Sequence, residues 1–163
     1  MILIFFGPPG AGKGTQSNLI ANYFNIPHLS TGDILRNKLL EKDDLSKTIK
    51  VMMDKGQLVS DEILNEIVSN RIDNQDCLKG FILDGYPRTK DQALFFNSTL
   101  ESKNLSITKI FDINVDEKII IKRIKSRSDI ENRQDDKEKV IKTRISKYLS
   151  ETKPLSEFYK NQN

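Results

Sequence analysis

The sequence of 163 residues contains one cysteine, Cys77, and one histidine, His28. A single cysteine cannot form a disulfide framework or a cysteine zinc cluster, and such sparse use of cysteine is typical of a reducing compartment. A lone histidine is more often a packing or surface residue than a catalyst, so we assign no catalytic role to His28. Disulfide-stabilised small domains and cysteine-based zinc proteins are therefore excluded.

Long hydrophobic runs are also lacking. The apolar run near the N-terminus covers only residues 2–6, whereas a membrane span needs about 20 residues, and no basic segment precedes it as in a signal peptide. The net charge of +3 is modest and the basic residues are spread along the chain, which argues against a nucleic-acid-binding tract. With 37% hydrophobic and 30% charged residues, we expect one soluble, cytoplasmic domain over residues 1–163 that binds neither membrane nor nucleic acid.

A phosphate-binding pattern stands at the start of the chain. Residues 2–6, ILIFF, predict a buried parallel strand, and residues 7–15, GPPGAGKGT, follow with the spacing of a P-loop. The glycines let backbone N–H groups form a concave anion site, and the helix that begins there adds the positive end of its dipole. Lys13 adds a full charge. The residue after it is Gly14, so the hydroxyl group comes one place later, at Thr15.

Two other phosphate-binding classes do not fit this N-terminal pattern. A dinucleotide fingerprint would need a third glycine at position 15, which is Thr15. A protein kinase would need His-Arg-Asp and Asp-Phe-Gly motifs, and the sequence contains neither of them. The P-loop interpretation therefore remains.

The order of apolar runs and helical patterns after the P-loop predicts an α/β fold. Further strands are predicted over 27–30, 80–84 and 109–115. Helices are predicted over 14–24, 34–41, 45–55, 60–72, 89–102, 117–126, 137–150 and from 154 onward.

Apolar residues at helical spacing predict which helix faces are buried. The expected buried residues are Leu19, Ile20, Tyr23 and Phe24, then Ile119, Ile120, Ile121 and Ile124, then Val140, Ile141, Ile145, Tyr148 and Leu149. Arg36 would lie in the first turn of helix 34–41, where it opposes the helix dipole, so we expect an anion beside it. Arg123 and Arg127 are four residues apart on one helix face, and an anion or a stacking base would relieve their repulsion.

An acidic residue closes the predicted strand 80–84, GFILD. A strand that ends in an acid, here Asp84, is typical of the Mg²⁺-ordering aspartate of P-loop proteins. Residues 85–88, GYPR, leave the carboxyl end of this strand, which is where ligands bind in open α/β sheets.

Five motifs occur in order: GPPGAGKGTQ from residue 7, STGDILR from 30, GQLVSD from 56, DGYPRTKDQ from 84 and RQDD from 133. Together they resemble the adenylate kinase family of nucleoside monophosphate kinases over residues 1–160, and the hydroxyl at position 15 is that family's own form of the P-loop. The resemblance implies reversible, Mg²⁺-dependent phosphoryl transfer, ATP + AMP = 2 ADP, in adenine nucleotide homeostasis. It also implies a P-loop NTPase-like parallel sheet flanked by helices.

The resemblance further implies how one nucleotide kinase domain is divided. A helical insert for the nucleoside monophosphate would cover residues 30–59, and a short lid, with no room for zinc, would cover residues 128–132. The core would comprise residues 1–29, 60–127 and 133–163. The family is usually monomeric and its sheet runs 2-3-1-4-5. Because no fifth strand follows in this chain, we expect strand 109–115 to form an exposed edge that invites self-association, and the domain to be of low stability.

Site residues are carried over from the matching motifs. The implied ATP contacts are Gly10, Ala11, Gly12, Lys13, Gly14, Thr15, Arg123 and Arg127. The implied AMP contacts are Thr31, Arg36, Gln57, Leu58, Val59, Gly85, Tyr86, Pro87, Arg88, Gln92, Arg133 and Arg144. The implied catalytic residues are Lys13, Arg88, Arg133 and Arg144. Mg²⁺, as cofactor with ATP as co-substrate, would be ordered through water by Asp84 with Thr15 nearby.

Two alternatives remain open. A UMP/CMP kinase of the same fold would also have a short lid, but Thr31, Asp61 and Gln92 favour AMP. Pyrimidine-specific relatives tend to carry alanine, a non-acidic residue and asparagine at these places. The second alternative is a nucleotide-binding fragment of low activity, because the family's C-terminal strand does not occur in this chain.

Overall fold

The computed structural model describes residues 1–131 and 138–161, with the side chains of all of these except residues 117, 128–131, 138 and 139. Its centre is a parallel sheet in the order β2-β3-β1-β4. The strands are β1 (Ile2–Phe6), β2 (His28–Ser30), β3 (Phe81–Asp84) and β4 (Lys109–Asp112). The predicted α/β fold with a parallel sheet is confirmed, although β4 ends three residues before the predicted end of its strand.

Helices flank this sheet. They are α1 (Lys13–Phe24), α2 (Thr31–Lys38), α3 (Asp44–Asp54), α4 (Asp61–Ile72), α5 (Lys90–Ser102), α6 (Glu117–Glu131), α7 (Glu138–Lys147) and α8 (Leu155–Lys160). A 3-10 turn, Leu39–Glu41, follows α2, and a second, Gln75–Cys77, precedes β3. A widened helical turn, Tyr148–Thr152, joins α7 to α8, with the Lys153 N–H donating to the Tyr148 carbonyl at 2.8 Å.

Strand β1 is buried along its whole length. Ile2, Ile4 and Phe6 pack into the larger apolar cluster on one face of the sheet. Leu3 and Phe5 pack into a second cluster on the other face, together with Ala21 and Ile26. Because both faces are covered, the strand has no polar alternation, which explains its uninterrupted apolar run.

The predicted buried face of α1 is wrong for three of its four residues, since only Ile20 packs, partly buried, against the second cluster. Leu19, Tyr23 and Phe24 are 61%, 83% and 49% exposed, whereas the buried residues of this helix are Ser17 and Ala21. These two residues follow Lys13 by four and eight positions and therefore lie on the same helix face as Lys13. The P-loop thus fixes the rotation of α1, and the small residues of that face allow the helix to approach the sheet closely.

Two further predictions of burial are wrong in part. In α6, Ile120 and Ile124 are buried, but Ile119 and Ile121 are 47% and 39% exposed. Consecutive helical residues point about 100° apart, so three adjacent isoleucines cannot share one buried face. Leu149, predicted on the apolar side of α7, is 52% exposed because the widened turn interrupts the helical period there.

The boundaries of two predicted segments also differ from the structure. Helix α6 extends to Glu131, so residues 128–131 of the predicted lid are helical rather than a connection, and Asn132 lies outside the described residues. No glycine or proline occurs between residues 117 and 131 to end the helix earlier. Helix α2 begins at Thr31, where the Ser30 hydroxyl accepts from the Asp33 N–H at 3.3 Å. Arg36 therefore lies in the last turn, where the dipole favours a cation, and the dipole argument for an anion was wrong.

Strand β4 forms one edge of the four-stranded sheet, as predicted for residues 109–115. Lys109, Phe111 and Asp112 are exposed, and the Phe111 ring stacks on Phe5 with ring centroids 4.8 Å apart.

Among the residues that the structure describes, no helix has both the length and the apolar character to cross a bilayer.

Candidate functional site

The loop between β1 and α1 is held by close contact with α6. Gly10 adopts a φ of +80°, and a Cβ atom there would lie 2.7 Å from Cγ1 of Ile124 and 3.1 Å from the Ile120 carbonyl oxygen. Only glycine fits such an approach without a shift of one partner. Arg123 adds a direct bond, with Nη1 donating to the Ala11 carbonyl at 3.0 Å. Helix α6 therefore shapes the phosphate loop as well as covering it.

The side chain of Lys13 lies close to several arginines. Its Nζ donates to the carbonyls of Gly7 at 2.9 Å and Pro8 at 3.1 Å. Loss of hydration is the main reason that its pKa falls from 10.5 to about 8. The Asp84 carboxylate opposes the fall in this pKa, whereas three arginines deepen it: Arg88, Arg144 and Arg127.

Asp84 closes β3 beside the beginning of α1. Its side chain is largely buried, and Oδ2 lies 3.5 Å from the position of a Cβ atom on Gly14 and 3.4 Å from Nε2 of His28. Nδ1 of His28 is hydrogen-bonded to Oδ1 of Asn18 at 2.8 Å. His28 thus contacts Asp84 and Asn18 and does not line the cavity described below.

The oxygen atoms at this point suit a hard cation. Asp84 supplies a carboxylate, and the exposed Thr15 adds a hydroxyl one residue after Gly14. Within residues 1–131 and 138–161, no three or more histidine, cysteine or acidic residues cluster as a metal-binding group. A cation here would be held mainly by substrate phosphates and water, and Mg²⁺ prefers such coordination.

A cavity opens between the P-loop, the segment 31–59, the loop after β3 and α7. It brings together ten of the residues predicted from the sequence: Lys13, Thr31, Arg36, Gln57, Leu58, Val59, Gly85, Pro87, Arg88 and Arg144. Tyr86 and Gln92 are completely buried and lie behind the described part of the cavity wall. The Tyr86 hydroxyl donates to Oδ1 of Asn65 at 2.6 Å, and the Tyr86–Pro87 peptide bond is cis.

Arg88 is held at several points of its backbone and side chain. Its backbone N–H donates to Oε1 of Gln92 at 2.7 Å, and its carbonyl accepts from the Thr152 hydroxyl at 3.0 Å. Its Nε donates to the Gly85 carbonyl at 2.6 Å. Gly85 has a φ of +82°, and a Cβ there would come within 2.9 Å of both the Arg88 guanidinium and the Thr31 hydroxyl. Glycine at this position therefore lets the arginine lie close against the strand end.

Thr31 and Arg36 complete the wall formed by α2. Thr31 is buried, and its hydroxyl lies 2.8 Å from the Gly85 carbonyl and 3.3 Å from the Asp84 carbonyl. This contact ties the beginning of α2 to the end of β3. Arg36 reaches the cavity and forms an ion pair with Asp33 one turn earlier in the helix.

The arginines predicted to meet ATP lie on the P-loop side of the site. Arg123 contacts the loop directly, and Arg127 lies near enough to Lys13 to lower its pKa. Arg133 falls outside the described residues. The structure therefore gathers the P-loop lysine and five predicted arginines around one region: Arg36, Arg88, Arg123, Arg127 and Arg144.

The sequence analysis did not assign a binding role to several further residues of the cavity wall. They include Leu35, Met53, Lys147, Tyr148 and Thr152. Arg144, Tyr148 and Thr152 follow one another at intervals of four residues, and this helical spacing could have indicated that they share a face with the predicted arginine. Lys147 pairs with Glu151 at 2.6 Å on the same wall.

This arrangement suits the handling of two phosphorylated ligands. One phosphate chain would lie on the P-loop, and a second phosphate would meet Arg36 and Arg88 in the cavity, with Lys13 and Arg144 close to both. Arginine forks bind two phosphate oxygens at once, and such convergent cations are what phosphoryl transfer requires.

Comparisons with known proteins agree with this geometry. The model of the adenylate kinase family matches residues 5–163. Proteins named adenylate kinase from Rhizobium meliloti (strain 1021) and Sinorhizobium medicae (strain WSM419) are 47% and 48% identical to this chain, over 98% of the chain and 86% of their own length. A protein of the same name from Brucella melitensis biotype 1 is 46% identical over 98% of the chain and 85% of its own length. The chain belongs to the adenylate kinase family.

Proposed function

We propose that this chain transfers the γ-phosphoryl group of ATP reversibly to AMP, with the two nucleotides bound on either side of Lys13. Family membership supplies the reaction class. The observation that carries the assignment of residues is the convergence of Lys13, Arg88 and Arg144 at one cavity beside a P-loop.

On the donor side, the loop and the beginning of α1 would bind the ATP phosphates through backbone N–H groups and Lys13. In the structure, Lys13 donates to two loop carbonyls, so it would exchange these contacts for phosphate oxygens when ATP binds. Arg123 would support the loop from behind and stack on the base, and Arg127 would contact phosphate.

On the acceptor side, Arg36 and Arg88 would bind the AMP phosphate. Thr31 and residues 57–59 would line the nucleoside pocket, and Gly85 and Pro87 would form the wall next to the strand end. Arg144 would act on the phosphoryl group between the two nucleotides, and we assign the same role to Arg133 from its motif.

Asp84, with Thr15 beside it, would order Mg²⁺ through water. When bound, the cation would neutralise charge on the ATP phosphates. The residues of the chain would provide the other part of catalysis by positioning both substrates and stabilising charge on the phosphoryl oxygens. No general base is required, because the acceptor is a phosphate oxygen that already carries charge.

A steady-state assay with AMP, CMP and UMP as acceptors tests this function. We expect ADP to form from AMP with a kcat/KM about 100-fold or more above that for either pyrimidine nucleotide, since a site that hydrogen-bonds its proper base rejects others strongly. Preference for CMP or UMP would instead support the alternative of a pyrimidine nucleotide kinase. Tight binding of a bisubstrate dinucleoside polyphosphate without ADP formation would support a nucleotide-binding protein of low activity.

We further propose that the 163-residue chain works in the cytoplasm and self-associates through β4. An exposed edge strand presents unpaired N–H and C=O groups to other chains. We expect light scattering to show an average mass that rises with concentration, and thermal melting to begin at low temperature. A sharp melt of a monomer whose mass does not change with concentration would contradict this proposal.

A further inference from the structure

A partly buried chain of hydrogen bonds connects the beginning of α4 to the backbone of Arg88. Asp61, the first residue of α4, accepts from the Thr89 hydroxyl at 2.8 Å and from Nε2 of Gln92 at 2.7 Å. Gln92 is completely buried, and its other amide atom, Oε1, accepts from the Arg88 N–H at 2.7 Å. Asp61 and Gln92 thus link α4 to the backbone of Arg88, whose side chain lines the cavity.

The Asp61 carboxylate determines which groups donate and which accept along this chain of hydrogen bonds. An ionised carboxylate only accepts hydrogen bonds, so the side chain of Gln92 must turn its NH₂ group toward Asp61. Its oxygen then faces the Arg88 N–H, which can only donate. In the opposite amide orientation, oxygen would face oxygen at one end and N–H would face N–H at the other. Each such buried mismatch is costly.

A second contact from the same helix face acts on the same segment. Asn65 follows Asp61 by four residues and accepts from the Tyr86 hydroxyl. Asp61 and Asn65 of α4 therefore accept hydrogen bonds from three side chains of the segment 86–92, those of Tyr86, Thr89 and Gln92. Neither Asp61 nor Asn65 lines the cavity, so these two side chains support the segment that carries Arg88 from behind, whereas Leu64 of the same turn does line it.

We propose that Asp61 is a positioning residue for the acceptor nucleotide: by fixing the orientation of the Gln92 amide, it sets the backbone of Arg88 and thereby the geometry of phosphate binding. This inference rests on the proposed function of Arg88 as a ligand of the AMP phosphate. It assigns to Gln92 a role behind the cavity wall, in addition to the contact with the base implied by the resemblance.

A reciprocal exchange of the two side chains tests this inference. Gln92→Glu alone places two carboxylates against each other, and we expect the KM for AMP to rise at least about tenfold, with the KM for ATP nearly unchanged. Adding Asp61→Asn restores one donor facing one acceptor, because the new amide donates to the carboxylate and the carboxylate still accepts from the Arg88 N–H. The double variant should return the KM for AMP to within about threefold of the parent value, a coupling that a double-mutant cycle measures.

Asp61→Ala provides a second, independent measurement, and Glu62→Gln, which changes an exposed neighbour on the same helix turn, is the matched control. We expect Asp61→Ala to raise the KM for AMP about tenfold and the control to leave both KM values unchanged. Loss of folded enzyme would lower the apparent kcat with both substrates but leave the KM values unchanged, so unfolding does not imitate the predicted result.

Two outcomes would overturn the inference. One is a folded Asp61→Ala variant with the parent KM for AMP. The other is a Gln92→Glu defect that Asp61→Asn does not relieve, which would mean that Gln92 acts through the base alone. Both outcomes assume a parent protein that phosphorylates AMP, so absence of this activity in the parent would count against the proposed function instead.

Discussion

Replacing Lys13 by alanine is expected to lower kcat about 10³-fold while the protein stays folded. Preorganised charges at transferring phosphoryl groups contribute about this much to the rate. Folding should not suffer, because the partners that Lys13 has in the structure include loop carbonyls that other groups or water can satisfy. A coupled assay for ADP, with circular dichroism and thermal melting on the same samples, measures both quantities.

Lys47→Ala is the matched control for this substitution, since Lys47 is exposed and forms an ion pair with the exposed Asp44 one turn earlier in α3. It should keep the parent rate. Turnover of Lys13→Ala within a few-fold of the parent would contradict the assignment of the P-loop.

The lowered pKa of Lys13 gives the same residue a signature in the pH profile. Its pKa of about 8 in the free protein means that the charge needed by the ATP phosphates is complete below pH 8 and is lost as the pH rises above it. We therefore expect kcat/KM for ATP to fall above pH 8, approaching about tenfold per pH unit. Lys13→Arg keeps its charge at all these pH values and should abolish the decline, although at a lower rate.

The free energy of unfolding should depend on pH in the opposite direction to activity: the contribution of Lys13 to it rises with pH. Because its folded-state pKa lies below the unfolded value of 10.5, the protonated side chain opposes folding below pH 8, and this penalty disappears as the pH rises from about 8 toward 10.5. At pH 7, Lys13→Ala should consequently melt at the parent temperature or above it. A clear decrease in the melting temperature would show that Lys13 makes a net structural contribution.

Replacing Arg88 by alanine is expected to raise the KM for AMP about 10- to 100-fold, since a hydrogen bond to a charged group contributes about 1.5–3 kcal/mol. The kcat should also fall, because the same guanidinium would contact the phosphoryl acceptor during transfer. The KM for ATP should change little. Steady-state kinetics with each substrate varied in turn separate these effects.

Two further variants sharpen the test of Arg88. Arg88→Lys keeps the charge but loses the Nε donor to the Gly85 carbonyl and the planar fork, so its KM should lie between those of the parent and the alanine variant. Arg71→Ala removes an arginine whose ion pair with Asp76 lies outside the cavity wall, and it should leave the kinetics unchanged. Equal increases in the KM values for ATP and AMP in Arg88→Ala would contradict its place on the acceptor side.

Much of the fold was predictable because its signals are local. The run 2–6 is apolar without alternation, so it had to be covered on both faces, and the structure buries all five residues. The helix faces were less predictable. Leu19, Tyr23 and Phe24 satisfy a helical period, but the P-loop fixes the rotation of α1 and turns Ser17 and Ala21 inward.

In the candidate site, too, some features could be predicted from local sequence and others depend on long-range contacts. The chemistry could be predicted from the sequence: a P-loop with Lys13, an acid at the end of a strand in Asp84, and arginines in ordered motifs, because glycine, lysine and arginine at these spacings have few other uses. Which of these groups line the cavity and which lie behind its wall depends on contacts between distant parts of the chain. Gln92 pairs with Asp61, 31 residues away, and Thr152 bonds the carbonyl of Arg88, 64 residues away. Such contacts depend on how β3, α4, α5 and the widened turn Tyr148–Thr152 pack together, and no local pattern in the chain encodes them.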